Sequence, residues 1–504
     1  MSRPASAAAI VDSIVVQPGE EPALAISGPL PAGTRAPDRV TLAGERHELH
    51  ADATAEQDRW RTVLPLRSSR WGGPRLAPPS GGYRLLLGRG TEHPVPAGYR
   101  GEPPDPVLLP GFARVGFETA EGVEVLFSAP LADSERGPRQ QARLEAEYRA
   151  TRFHPAEAVV FESFYGSGAT CNPLAIDREL SRMRPELTRY WSVRDGSIAV
   201  PDGGIPLIEG SAQWWRLRGE ARLLVVNDWL RKRHRRRRHQ RVLQTWHGTM
   251  LKRLALNRPG LSLRTVLAIL RERRHWDALL AQNPYSRRIF RRAYAYLGPI
   301  WEEGYPRNDV LSAGRDAGRI RALLGIPAGA IVLLYAPTWR DDRLHEVDHL
   351  DASRFAAELG SGYRLLVRGH PRSTGQEVSA ENVMDVTDYP DVSELFLAAD
   401  ALITDYSSVM FDFSVTGKPI LFFTPDLRHY RDRLRGFYFD FLREAPGPVA
   451  RTAGELLAAV RDLDAGRDRH AEAYEAWRRR FNPRDDGVAA RRVVQRLIDA
   501  GFIE

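Results

Sequence analysis

The chain has 504 residues, of which 43% are hydrophobic and 27% are charged, and its net charge is +8. A chain of that length is too long to fold around a single hydrophobic core, so we expect two to four domains. The positive charge favours an anionic partner such as nucleic acid, a lipid surface or a phosphorylated substrate. The single cysteine, Cys171, excludes an internal disulfide framework and a zinc site built from cysteines, and it fits a reducing compartment.

The sequence contains no run of about 18 apolar residues, which is the length that a membrane-spanning helix needs. The first residues, MSRPASAAAIVDSIVVQPGE, lack a convincing secretory signal because Asp12 and Ser13 interrupt their short apolar stretch. We therefore expect a cytoplasmic protein that contacts the inner face of the cell membrane only peripherally.

Residues 1–131 alternate short strand-like segments with glycine and proline, as in PALAIS, RVTLA, YRLLLG and VEVLFSA. This spacing, without long segments of helical period, predicts a small β-sandwich-like accessory domain. A charged, helix-prone connector follows and marks the boundary with the rest of the chain.

From residue 132 onward, apolar strands alternate with helical periods, for example in ARLLVVND, AIVLLYAPTW and KPILFFT. Buried parallel sheets produce this pattern, so we predict an α/β fold with two doubly wound, Rossmann-like domains at 132–315 and 316–504. Ligands of such sheets bind beyond the carboxyl ends of the strands, which is where the polar clusters of this sequence fall.

The segment QTWHGT joins a predicted strand, RVLQTW, to a predicted helix, MLKRL. Gly248 permits a sharp turn and Thr249 can cap the helix, so His247 stands at a strand-to-helix elbow. An imidazole with a pKa near about 6.5 can accept a proton from an attacking hydroxyl group at neutral pH. The alternative is a histidine that is hydrogen-bonded inside a turn for structural reasons only.

A second histidine, His370, follows Arg368 at the end of the predicted strand in YRLLVRGHP. A cation, a flexible glycine and a rigid proline at a strand end suit a loop that presents His370 and its neighbouring arginines to an anion. The alternative is a polar turn that ends the strand and leaves the arginines in solvent.

The segment TDYSSVMFDFSVTG predicts a helix that opens at Ser407 and Ser408 and closes at Gly417, with Asp412 one turn inside. Free N–H groups and hydroxyl groups at a helix N-terminus form a site for phosphate, although helix capping alone explains one of the serines. Neither a P-loop nor a GxGxxG fingerprint is evident, so the sequence gives no support for ATP or NAD.

Two further loops, GYPRND and APTWRD, place Arg307 and Arg340 beside turn-forming residues. Both loops follow strand-like segments, so they can face the same cleft as His247 and His370. The alternative for each loop is an ordinary turn with a solvated arginine.

Taken in order, these segments resemble the CDP-glycerol glycerophosphotransferase family, the teichoic-acid primases and polymerases of bacterial cell walls. The resemblance rests on FESFYGSGATCNPLAI, QTWHGTMLKRLA, GYPRNDVL, LLYAPTWRDD, RGHP and the stretch 391–441, and it covers about residues 158–460. It implies a GT-B-like architecture, with two Rossmann-like domains around a cleft. It also implies transfer of glycerol phosphate from CDP-glycerol, or another CDP-polyol, to a growing chain with release of CMP.

The resemblance implies that His247 is the general base and that His370 stabilises the donor phosphates. The expected donor-binding residues are Arg307, Asp309, Thr338, Arg340, Arg368, Ser407, Ser408, Asp412 and Arg435. No cofactor or resident metal is expected, because cationic side chains and a helix N-terminus can carry the positive charge that phosphoryl transfer needs. A GT-B glycosyltransferase that uses a nucleotide sugar and an inactive scaffold both stay open as alternatives.

The run RKRHRRRRH at 231–239 ends shortly before His247. We expect its arginines to bind the anionic inner leaflet or a lipid-linked polyol-phosphate or glycan acceptor. These arginines are Arg233, Arg235, Arg236, Arg237 and Arg238. A solvated loop and a nucleic-acid-binding arm are the alternatives, but no nucleic acid is expected because no recognition motif accompanies the run.

Overall fold

The computed structural model describes residues 10–90, 93–230, 234–313, 316–338, 349–369 and 380–503. Within these ranges, no helix combines the length and the apolar character that a membrane span requires.

The N-terminal β domain (residues 10–128) consists mainly of antiparallel sheets around one core, with one parallel pair between Ile10–Val11 and Gly98–Tyr99. A four-stranded and a seven-stranded sheet contain most of its strands. Alternate side chains of Arg59–Pro65 are buried, as expected for a strand with one face on a core. The strands of the domain are Ile10–Val11, Ser13–Gln17, Ala23–Pro29, Arg39–Ala43, Glu48–Asp52, Thr54–Glu56, Arg59–Pro65, Ser68–Ser69, Arg75–Leu76, Gly81–Gly88, Val95–Pro96, Gly98–Tyr99, Val107–Leu109, Ala113–Glu118 and Glu124–Ser128.

The first half of the α/β region (residues 156–308) is built on a seven-stranded parallel sheet, whose apolar strands are covered by helices on both faces. In spatial order its strands are Gly204–Ile208, Thr188–Val193, Ala156–Glu162, Ala221–Val226, Arg241–Gln244, Ala278–Ala281 and Ile300–Glu302. Its α-helices, with the connecting helix that precedes it, are Pro138–Ala150, Cys171–Met183, Ala212–Glu220, Leu263–Glu272 and Pro284–Ala293. Short 3-10 helices lie at Phe164–Gly166, Ala255–Asn257, Arg273–His275 and Pro306–Asn308.

The second half (residues 331–450) is built on a six-stranded parallel sheet. In spatial order its strands are Val383–Asp385, Tyr363–Val367, Ile331–Ala336, Ala401–Thr404, Ile420–Phe423 and Val449–Ala450. The α-helices around it are Asp309–Ala313, Ala317–Leu323, Ala352–Leu359, Val392–Ala398, Val409–Phe413, Leu427–His429, Phe441–Glu444, Ala453–Arg461, Leu463–Arg469 and Ala471–Phe481, with a 3-10 helix at Ser414–Thr416 and a π-helix at Tyr430–Arg435. The predicted α/β fold is therefore confirmed.

The last helix, Ala489–Asp499, returns to the first half. Its side chains Val493 and Leu497 share a core with Phe161 of the first sheet. The C-terminal end of the predicted domain 316–504 thus packs on the other half. Hydrophobic periodicity does not predict this contact, because it shows that a helix has an apolar face but not which element that face packs against. The boundaries at 131 and 315 remain predictions.

Candidate active site

His247 stands in a tight elbow that follows the strand Arg241–Gln244. The side chain of Gln244 holds this elbow, because its Nε2 donates to the Asp228 carbonyl at 2.9 Å and its Oε1 accepts from the Trp246 N–H at 2.9 Å. Trp246 has a φ of 55°, a strained conformation that the surrounding contacts maintain.

The imidazole of His247 is oriented from both sides. Its Nδ1 lies 2.7 Å from the Asn227 carbonyl oxygen. Because a carbonyl only accepts, Nδ1 must carry the proton and Nε2 is left as the basic nitrogen. The ring stacks on Trp246 at 5.0 Å. Burial lowers the pKa of His247, and the nearby Asp228 carboxylate opposes that effect.

Asn227 and Asp228 are site residues that the sequence analysis missed. The Oδ1 of Asn227 accepts from the Phe164 N–H at 2.8 Å, and the Oδ1 of Asp228 accepts from the Tyr165 hydroxyl at 2.6 Å. Phe164 and Tyr165 both have positive φ values, 48° and 56°. The signal was the polar pair that ends ARLLVVND, directly after a buried strand.

The predicted helix after His247 does not form. Lys252 instead pairs with Phe437 of the second half as an isolated antiparallel bridge, and the Arg253 N–H donates to the Gly436 carbonyl at 3.1 Å. The hydroxyl of Thr249, predicted to cap a helix, donates to Gln282 Oε1 at 2.5 Å. Helical propensity is a weak preference, and pairing with the other half replaces it here.

Arg307 joins the two halves beside His247. Its Nη2 lies 2.6 Å from Asp412 Oδ2, and its Nη1 donates to the Cys171 sulfur at 3.0 Å. Asn308 donates to the other Asp412 oxygen at 3.0 Å. Among the described residues, the buried Nε–H of Arg307 has no hydrogen-bond partner.

A buried asparagine, Asn172, connects the histidine elbow with Arg307. Its Nδ2 donates to the carbonyl oxygens of Thr245 and Trp246, at 3.3 and 3.1 Å. Its Oδ1 accepts from the Arg307 N–H at 3.2 Å. Asn172 lies in the motif FESFYGSGATCNPLAI, but the motif alone predicts no role for it.

Ser408 of the second half lies directly against the His247 elbow. A Cβ placed on Gly248 would meet the Ser408 Oγ at 2.8 Å, so only glycine permits this approach. Ser407 precedes it at the opening turn of Val409–Phe413. Within the same half, the Asp405 carboxylate accepts from the Thr338 N–H at 2.9 Å. The structure therefore places His247, Arg307, Ser408 and Asp412 together.

Two predicted donor-binding residues are engaged in other contacts. Both carboxylate oxygens of Asp309 accept from backbone N–H groups of the last helix, those of Ala489 and Ala490, at 2.9 and 2.8 Å. Asp309 thus caps the N-terminus of that helix with its carboxylate. The Nη1 of Arg368 donates to the Val386 and Tyr389 carbonyls at 3.1 and 2.8 Å.

Arginines of the basic run bind the protein's own backbone as well as solvent. Arg235 contacts the Arg149 carbonyl, and Arg236 donates to the Arg274 carbonyl at 2.9 Å. Arg237 donates to the Thr151 carbonyl at 3.1 Å and covers the Tyr148 ring at 4.8 Å. Arg235 and Arg237 therefore hold the run against the connecting helix Pro138–Ala150 and its C-cap residue Thr151, Arg236 holds it against Arg274, and Arg238 is exposed.

Four predicted site residues are not placed by the structure. His370, Arg340 and Arg233 lie outside the described residues, and so does the side chain of Arg435. Within the described ranges, no group of three or more His, Cys, Asp or Glu side chains is arranged to hold a metal ion.

Comparison with known proteins identifies the family. The sequence model of the family described as CDP-Glycerol:Poly(glycerophosphate) glycerophosphotransferase matches residues 146–499. The chain belongs to this family. The resemblance drawn from the sequence motifs is thereby confirmed, and the matched region contains His247, Arg307, Ser408 and Asp412.

Relatives of known function support the same family. The chain is 37% identical over 371 residues to the teichoic acid poly(glycerol phosphate) polymerase of Bacillus subtilis, covering 68% of this chain and 49% of that protein. It is 34% identical over 363 residues to the teichoic acid glycerol-phosphate transferase of Staphylococcus aureus, covering 67% of this chain and 92% of that protein. The match thus spans about half the length of the first relative.

A solved structure of the wall teichoic acid polymerase TagF, a histidine-to-alanine variant, shares the fold with a TM-score of 0.67 and 34% identity. The match covers 72% of this chain and 94% of that one. Another TagF structure is of a variant soaked with CDPG, at 33% identity and a TM-score of 0.66. A GT-B-like arrangement of two α/β halves follows from this likeness.

Proposed function

We propose that this protein transfers glycerol phosphate from CDP-glycerol to the hydroxyl end of a teichoic-acid-like or capsule-like acceptor and releases CMP. The observation that carries the proposal is the meeting of the two halves at one point, where the His247 elbow of the first half adjoins Ser408 and Asp412 of the second. A base from one half and groups for an anion from the other are what a two-substrate phosphotransfer needs.

In the proposed reaction, the acceptor hydroxyl attacks the phosphorus that carries the glycerol. The new oxygen–phosphorus bond forms as the bond to the bridging oxygen breaks, and CMP departs with that electron pair. The proton of the hydroxyl passes to Nε2 of His247, which is basic because Nδ1 donates to the Asn227 carbonyl. Displacement in a single step requires no covalent enzyme intermediate.

Negative charge on the donor diphosphate needs positive charge or N–H donors nearby. Arg307 supports this role because it is buried at the site and its Nε–H has no partner among the described residues. Ser407 and Ser408 supply hydroxyl groups at the opening of a helical turn. His370, Arg340 and Arg435 are proposed as further donor contacts by resemblance. We propose that no resident metal is used.

Peripheral membrane contact is a further part of the proposal. Leu263 and Leu267 on the helix Leu263–Glu272 are 75% and 53% exposed. Arg236 of the basic run bonds to the Arg274 carbonyl just beyond the C-terminal end of that helix, so the basic run reaches the helix that carries the exposed leucines. Apolar side chains flanked by cations suit the boundary between anionic headgroups and acyl chains. A lipid-linked acceptor would then lie at the same surface.

The decisive assay offers the protein CDP-glycerol, CDP-ribitol and a nucleotide sugar, each with a glycerophosphate-terminated acceptor. We expect CMP release from CDP-glycerol together with growth of the acceptor by glycerol phosphate. Consumption of the nucleotide sugar alone would establish the glycosyltransferase alternative and refute the proposal.

A further inference from the structure

One β-hairpin of the N-terminal β domain ends in an unusual turn. The strands Ser68–Ser69 and Arg75–Leu76 pair, and the Gly73 N–H donates to the Arg70 carbonyl at 2.9 Å across the turn. Trp71 and Gly72 inside the turn have φ values of 51° and 65°, as in a type I′ turn. Glycine adopts this conformation freely, whereas a bulky side chain pays about 1–2 kcal/mol for it. Contacts of the tryptophan must therefore maintain the turn.

Those contacts lie on the second half of the α/β region. The Nε1 of Trp71 donates to Asp388 Oδ1 at 3.2 Å, and its ring packs edge-on against Tyr389 at 5.3 Å between centroids. Arg70 adds an ion pair with Asp388 at 3.8 Å. A Cβ on Gly72 would meet Leu323 at 2.4 Å, so the hairpin sits tightly on this surface.

The same domain also contacts the first half. The Nη2 of Arg70 donates to the Ser197 carbonyl at 3.2 Å, and Asp195 accepts from the Ser80 N–H at 3.0 Å. Arg70 thus bonds to both halves at once. A single side chain that touches both halves couples their relative position to the β domain.

Each contacted loop is linked by hydrogen bonds to a predicted site residue or to a neighbour of His247. On the second half, the Tyr389 carbonyl accepts from Arg368, a predicted donor-binding residue that follows the strand Tyr363–Val367. On the first half, Arg194 next to Asp195 donates to the Tyr165 carbonyl at 3.2 Å. Tyr165 in turn donates to Asp228 beside His247.

We propose that Arg70 and Trp71 form an interdomain strap that positions the loop 386–389, and through it Arg368, for binding of the CDP-linked donor. Both are positioning residues, since they act through Tyr389 and Arg368. This inference rests on the proposed function for its substrate. The family match begins at residue 146, so the strap belongs to the part of the chain outside the matched region.

The test compares Trp71→Gly with Trp71→Phe. Glycine relieves the strain of the turn but removes the ring and the hydrogen bond, whereas phenylalanine keeps a ring against Tyr389. The matched control is Val63→Ala, on an outward face of the same domain where Val63 is 55% exposed. Amide hydrogen exchange of segment 383–391 is measured without substrate, and kcat and KM for CDP-glycerol are measured separately.

We expect Trp71→Gly to speed exchange in segment 383–391 and to raise KM about tenfold, within the range of coupling changes known for positioning residues, with kcat within about twofold. Trp71→Phe should restore most of the wild-type KM. Exchange and KM equal to those of Val63→Ala would overturn the strap, as would faster exchange without a change in KM. If the wild-type protein were inactive on CDP-glycerol, the proposed function would be refuted. The exchange measurement, which needs no substrate, would still show whether Trp71 holds segment 383–391 in place.

Discussion

Arg307 of the first half and Asp412 of the second form a nearly buried ion pair, with Nη2 and Oδ2 2.6 Å apart and side chains 10% and 5% exposed. Burial raises the pKa of Asp412, and the adjacent Arg307 charge opposes that rise. Because each charge depends on the other for compensation, the pair favours one arrangement of the two halves.

Removal of one partner should therefore be costly. We expect Asp412→Ala to lower the free energy of unfolding by about 3–5 kcal/mol, because the buried guanidinium loses its counter-charge. Glu147→Ala is the control, since it breaks an exposed pair with Arg143 and should cost less than about 1 kcal/mol. Urea unfolding measures both. Equal losses in the two variants would show that the Arg307–Asp412 pair contributes no more than a surface contact.

The pH dependence of kcat/KM should report His247. Burial lowers the pKa of His247 below 6.5, so the ring stays neutral and competent as a base at pH 6.5, and activity falls only as the pH drops through the lowered pKa. Asp228 opposes this lowering, so Asp228→Asn should move the acid limb to still lower pH. If the acid limb stays in place or moves to higher pH in Asp228→Asn, the Asp228 carboxylate does not raise the pKa of His247.

A variant of Asp309 distinguishes the donor-binding role that the family resemblance implies from the helix-capping role that the structure shows. As a cap of the last helix, Asp309→Ala should lower the free energy of unfolding by about 0.5–2 kcal/mol and leave KM for CDP-glycerol unchanged. Denaturant unfolding and steady-state kinetics on one preparation give both numbers. A large increase in KM at wild-type stability would restore the donor contact that the sequence predicted.

Membrane contact should depend on the exposed leucines. Replacing Leu263 and Leu267 with glutamine should weaken binding to anionic vesicles by at least about tenfold, because two apolar side chains no longer enter the lipid boundary. Val15 and Val63, which are 53% and 55% exposed on the β domain, provide the matched double control. Vesicle sedimentation measures both variants. If the leucine variant and the valine control bind the vesicles equally, Leu263 and Leu267 are not a membrane contact.

The parallel sheets and the elbow were predictable because their signals are local. Buried strands read as apolar runs, and QTWHGT marks a strand end at which Gly248 is required. The meeting of Ser408 with Gly248 could be expected only from the rule that ligand sites lie at strand carboxyl ends, together with the family resemblance.

Long-range partners were not predictable. Nothing local shows that Asp309 caps a helix 180 residues later in the chain. The helix expected after Thr249 was wrong because pairing with Gly436–Tyr438 outweighs helical propensity. Asn172 was missed because a single buried polar residue carries no pattern, and its role appears only when its hydrogen-bond partners are known. Asn227 and Asp228 carried a signal, as a polar pair directly after a buried strand, but the local sequence does not show which groups they bond to.

The proposed mechanism is tested most directly by the rate of CMP release from CDP-glycerol by His247→Ala, with the glycerophosphate-terminated acceptor present. General-base catalysis predicts a loss of about 10²–10⁴-fold in kcat, while the affinity for CDP-glycerol, measured by calorimetry, changes little. A variant that releases CMP at the wild-type rate would contradict the assignment of His247 as the base and with it the proposed mechanism.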